Sequence, residues 1–89
     1  MLWIVATPIG SLADLAPRAR EVLAKVDLVL AEDTRRARSL FAHLRLPSKG
    51  RLRSLHEHNE DRQVPALIDS LRGGRSIALI SDAGTPVLS

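Results

Sequence analysis

The sequence contains no cysteine, and Trp3 and Phe41 are its only aromatic residues. Without cysteine there can be neither a disulfide framework nor a thiolate metal site. So few rings argue against a surface that stacks single-stranded bases on aromatic side chains. No apolar run approaches the roughly 20 residues that a membrane span needs. The opening Met1-Leu2-Trp3-Ile4-Val5 lacks a basic n-region and passes straight into strand-like sequence, which argues against a secretory signal. The loop that follows has a single glycine, Gly10, so it is neither a G-x-G-x-x-G fingerprint nor a G-x-x-x-x-G-K-S/T loop. A nicotinamide cofactor or a nucleoside triphosphate is thereby disfavoured. A soluble, cytoplasmic protein with no membrane partner is the expectation.

What is present is the profile of an ordinary globular domain: 89 residues, 45% hydrophobic and 26% charged. The apolar set is almost wholly Leu, Val, Ile and Ala, which suits helices packed on a buried sheet. Thirteen Lys and Arg face ten Asp and Glu, for a formal charge of +3. The cations avoid the first 17 residues and crowd into 18–53. Arg18, Arg20, Arg35, Arg36, Arg38, Arg45, Lys49, Arg51 and Arg53 would form a basic face suited to phosphate. The plainer alternative is a solvated, Arg-rich surface.

Four short apolar runs are separated by three helical patterns at βαβ spacing. Leu2 to Ala6, Leu28 to Ala31 and Ile77 to Ile80 are continuous apolar runs, as expected of parallel strands covered on both faces. Arg53-Ser54-Leu55 is weaker and reads as an edge strand. The first helix carries Leu15, Ala19, Val22, Leu23 and Val26 on one stripe, with Asp14 as N-cap and Pro17 in the first turn. The second carries Ala37, Leu40, Phe41 and Leu44 after Asp33-Thr34, and Pro47 lies beyond its end. The third carries Val64, Leu67, Ile68 and Leu71, with Pro65 near its start and Gly73-Gly74 placed for a positive-φ stop. The fold class is therefore α/β: an open, mostly parallel sheet with flanking helices.

Polar motifs fall after each strand, where α/β proteins build their sites. Ala6-Thr7-Pro8-Ile9-Gly10-Ser11-Leu12 reads equally well as a plain, tight strand-to-helix connection or as part of a site. In Glu32-Asp33-Thr34-Arg35, Asp33 suits a helix cap, whereas Glu32 either pairs with Arg35 or Arg36 or accepts a proton in a cleft. His56-Glu57-His58-Asn59-Glu60 invites a metal, but an extended segment would send His56 and His58 to opposite faces, so no metal site is expected. A substrate contact or proton acceptor suits a histidine there better. Ser81-Asp82-Ala83-Gly84-Thr85-Pro86 combines small residues, which let a ligand approach the backbone, with a carboxylate able to accept from ribose hydroxyls. It can equally be an αL turn with a capping Asp.

Together these loops resemble the ribosomal RNA small subunit methyltransferase I family, within the tetrapyrrole-methylase-like superfamily. The four motifs occur in order, at family-like spacing, across nearly the whole chain. Any one of them would be a weak signal, and the ordered set is specific. Ser11 stands where the family usually has Asn, which weakens one potential contact. The family also continues into an Asp-Pro-Gly turn and a second α/β domain, both beyond this sequence. The resemblance implies that residues 1–89 are the N-terminal domain of a two-domain enzyme, inactive as a fragment. S-adenosylmethionine would lie between the halves, with Ser81, Asp82, Ala83, Gly84, Thr85 and Pro86 on the cofactor side. Pro8, Ile9, Gly10, Arg35, Arg36, His56, Glu57 and Asn59 would face small-subunit (16S) ribosomal RNA, the acceptor being a cytidine 2′-hydroxyl. Glu32 and His58 are the candidate bases, and a homodimer is expected. The rival readings are a tetrapyrrole methyltransferase of the same fold and a non-catalytic RNA-binding module.

Overall fold

The structure is a computed structural model that describes residues 1–7, 15–56 and 58–82. Its elements in chain order are β1 (Leu2–Thr7), α1 (Pro17–Lys25), β2 (Leu28–Ala31), α2 (Thr34–Leu44), β3 (Leu52–Ser54), α3 (Glu60–Arg72) and β4 (Ile77–Asp82). The four strands form one sheet in the order β1-β4-β2-β3, and every pairing is parallel. The expected α/β class and the edge position of β3 are both present. The last strand is threaded into the middle of the sheet.

Consecutive residues of the central strands alternate between two apolar clusters. Val29, Ala31, Ala78 and Ile80 join Leu23 of α1 and Ala37, Leu40 and Phe41 of α2. Leu30, Ile77 and Leu79 join Leu67 of α3. The helices α1 and α2 therefore cover one face and α3 the other, which is why these strands read as unbroken apolar runs. Phe41 and Leu23 are fully buried, each contributing about 1.5–3 kcal/mol of apolar burial.

β1 departs from that expectation. Val5 is buried under the α1–α2 face, but Leu2 and Ile4 are 46% and 61% exposed. An outer strand lies beyond the footprint of the single helix on that side. Three local details also differ. The N-cap of α1 is Ala16 without a side-chain cap, whereas the proposed cap, Asp14, lies outside the described residues. Pro65 sits inside α3, because the helix begins at Glu60. Of the two glycines after α3, only Gly74 has positive φ, at +90°.

The N-terminal edge of the sheet is closed by polar bonds between distant residues. Asp27 accepts from the backbone N–H and hydroxyl of Ser76 at 2.9 and 3.2 Å, and its own N–H donates to the Ser76 hydroxyl at 3.1 Å. The Ser76 N–H first, and then its hydroxyl, hold the Asp27 carboxyl below the usual carboxylate range. The Arg51 guanidinium donates to the carbonyls of Leu23, Val26 (3.0 Å) and Pro47 (2.7 Å), and it lies 5.4 Å from the centre of the Phe41 ring. It thereby satisfies the carbonyls that the end of α1 leaves open.

Candidate active site at the C-terminal rim

Because all strands are parallel, their C-terminal ends share one rim. β2 and β3 are neighbours, with Ala31 opposite Ser54, yet the chain leaves β2 for α2 on one face and β3 for α3 on the other. Ligands of open α/β sheets usually sit at such a divergence, beyond the strand ends. Glu32 and His56 follow the ends of these adjacent strands, whose backbones are joined by the Leu55 N–H donating to the Ala31 carbonyl at 2.9 Å.

On the β2 side, Asp33 is the N-cap of α2. Its Oδ1 accepts from the Arg35 N–H at 2.9 Å and lies 3.5 Å from the Arg35 Nε. The backbone N–H of Arg35, above all, lowers its carboxyl below the usual range. Of the two readings of Glu32, pairing with Arg35 is not made: Arg35 goes to the cap, and Glu32 stands exposed. Arg35, Arg36 and Arg38 are exposed along α2.

On the β3 side the chain turns rather than extends. The His58 N–H donates to His56 Nδ1 at 3.1 Å, and the two rings meet edge to face with centroids 5.7 Å apart. The opposite-face geometry used to set aside a shared ligand is thus corrected: a tight turn brings both imidazoles together. Among the described residues no group of three His, Cys, Asp or Glu gathers as a metal would require. Asn59 is buried, its Oδ1 accepting from the His56 N–H (2.8 Å) and its Nδ2 donating to the Ser54 carbonyl (3.0 Å). Expected at the RNA side, it is instead committed on both amide atoms to its own turn. Its place directly before Glu60-Asp61, where a helix begins, was the available cue.

Ser81 and Asp82, expected in a loop, are the last residues of β4; Ser81 is 2% exposed, and Asp82 pairs with Thr7 in register. The ends of β1 and β4 are therefore side by side. Pro8, Ile9, Gly10, Glu57, Ala83, Gly84, Thr85 and Pro86 lie outside the described residues.

The basic face is narrower than the charge list suggested. Arg20 donates to the Leu44 carbonyl at 3.1 Å, Arg51 braces α1, and Arg18 lies 5.9 Å from the Trp3 ring centre. Those three arginines are engaged with their own domain. Arg35, which also pairs with Asp33, and Arg36 and Arg38 are exposed on α2, the helix that starts at the rim, and Arg45, Lys49 and Arg53 are exposed as well.

A parallel α/β domain with polar motifs at its strand C-termini belongs to the class of folds that build ligand sites at that rim. The chain belongs to the tetrapyrrole (corrin/porphyrin) methylase family, whose model matches residues 1–89. Over 89 residues it is 49% identical to the ribosomal RNA small subunit methyltransferase I of Vibrio cholerae, covering 100% of this chain and 30% of that protein. Similar proteins of the same name are those of Escherichia coli O157:H7, 50% identical over 99% of this chain and 30% of the relative, and Mesorhizobium japonicum, 52% identical over 99% and 29%. The chain thus spans about 30% of the length of these relatives. No helix among the described residues is long and apolar enough to cross a membrane.

Proposed function

We propose that this chain is the N-terminal domain of a two-domain, S-adenosylmethionine-dependent methyltransferase acting on a cytidine 2′-hydroxyl of small-subunit ribosomal RNA. The observation that carries this reading is identity near 50% along the whole chain to relatives named for that RNA. A cytoplasmic enzyme, working as a homodimer on the small ribosomal subunit, is part of the same proposal.

The residues present fit the cofactor in kind. The end of β4 brings the Asp82 backbone beside that of Thr7, and a carboxylate at this point suits the hydroxyls of an adenosine ribose. Ser81 and Asp82, with Ala83 to Pro86, would hold it. When bound, S-adenosylmethionine supplies an electrophilic methyl group on a sulfonium.

A ribose hydroxyl is a weak nucleophile, so the protein has to align it and take its proton as the new O–C bond forms. Glu32 and His58 are the groups proposed to accept that proton. His56, with Pro8 to Gly10 and Glu57, would contact the nucleotide, and the exposed Arg35 and Arg36 would meet flanking phosphates. A cluster of exposed arginines suits a polyanion such as RNA better than a single macrocycle.

The test is to incubate the full-length polypeptide carrying this domain with methyl-labelled S-adenosylmethionine and small ribosomal subunits. Label in a 2′-O-methylcytidine is the expected result. Label on a corrin or porphyrin instead, or RNA binding without any label, would overturn it in favour of the sister enzyme or a binding module.

A further inference from the structure

Asn59 occupies the N-cap of α3, yet its side chain makes no cap to that helix. It turns back towards β3, accepting from the His56 N–H and donating to the Ser54 carbonyl. At 7% exposure these bonds are made away from water, where a lost partner is costly. The Asn59 side chain thus forgoes the helix capping that its position would allow.

The object it holds is the His56–His58 turn. The His56 carbonyl accepts from the Asn59 and Glu60 N–H groups at 3.0 and 3.1 Å, so both backbone groups of His56 are bonded. That fixes the ring where the His58 N–H can donate to Nδ1 at 3.1 Å. In a neutral imidazole one nitrogen accepts and the other carries the proton, and the bond made by the first decides which. With Nδ1 accepting, the proton lies on Nε2.

We infer that Asn59 is a positioning residue, locking the β3–α3 turn so that His56 presents Nε2–H as a donor to a substrate oxygen. Proton removal then falls to another rim group, in line with Glu32 or His58. The kinetic consequence rests on the methyl-transfer reading above; the tautomer does not.

The experiment pairs nitrogen-15 NMR of histidine-labelled full-length protein with methyl-transfer kinetics on small ribosomal subunits. Wild-type His56 shows one tautomer, protonated at Nε2. Asn59→Ala gives mixed tautomers, kcat lower by roughly 10- to 100-fold, and an unchanged KM for S-adenosylmethionine. Asn59→Asp keeps an acceptor for the His56 N–H and restores the single tautomer with part of the rate; it decides the matter if Asn59→Ala does not fold. Mixed tautomers in the wild type overturn the inference, as does a folded Asn59→Ala with wild-type kcat, or Asn59→Asp with mixed tautomers. Should the wild type methylate no RNA while the tautomer is fixed and is lost in Asn59→Ala, the methylation reading fails and the positioning role stands.

Discussion

The two edges of the sheet are held in opposite ways. At the N-terminal edge the polar bonds join residues far apart in sequence: Met1 to Arg75, Asp27 to Ser76, Arg51 to Leu23 and Val26. At the C-terminal rim the side-chain bonds seen among the described residues are local: Asp33 with Arg35, His56 with Asn59, Asn59 with Ser54. Long-range bonds tie elements together and so belong to stability. Short-range bonds shape a turn and leave other side chains exposed at the surface, as a binding rim requires. One sheet thus separates the end that holds the fold from the end offered to a ligand.

The contrast can be broken most forcefully at Arg51. Arg51→Met leaves the closing carbonyls of α1 without their donor and is expected to cost about 2–4 kcal/mol in urea unfolding at unchanged m-value. A loss no larger than that of an ordinary surface substitution would erase the assigned difference between the edges. Asp27 provides a smaller, pH-dependent effect. Its folded pKa is depressed, so its contribution is present above the unfolded value and lost as pH falls from about 4 towards the folded pKa. Asp27→Asn should therefore flatten the acid side of the stability profile; an unaltered profile would remove the clasp from the account.

At the opposite rim, Glu32→Gln and His58→Ala should change stability by no more than about 0.5 kcal/mol. Methyl transfer should nonetheless fall, by roughly 100-fold or more for whichever is the base. If both variants unfold readily, the rim is structural after all; if both methylate normally, neither is the base. The smallest effect on the fold is expected from Arg35→Gln, Arg36→Gln and Arg38→Gln. Each phosphate contact removed should reduce the salt dependence of RNA binding by about 0.7–0.9 in log–log slope. A slope unaffected by all three would place the RNA elsewhere.

Legibility in the sequence followed the range of the interaction. β2, β4 and α2 were readable because burial on one or both faces writes itself into neighbouring residues, and Asp33 was readable as a cap because its partner is two residues away. The exposed face of β1 was not, since Leu2 and Ile4 look like any buried pair until the sheet order puts them at an edge. Arg51 and Arg20 counted as free charge because the carbonyls they meet lie on other elements. At the rim, the four motifs fell at or just after the strand ends. Local periodicity, however, misjudged the turn that brings His56 to His58 and the amide bonds that occupy Asn59.

The position of β4 also sets a timetable. Among the described residues β1 pairs with β4 alone, and β2 reaches β1 through it, so there Leu2 waits for Ile77 as its neighbour in the sheet. On the ribosome, β1 would emerge long before its partner, and the sheet could close only when the central strand arrived. The joining of these four strands should therefore be late and abrupt, with β4 the keystone that enters between β1 and β2.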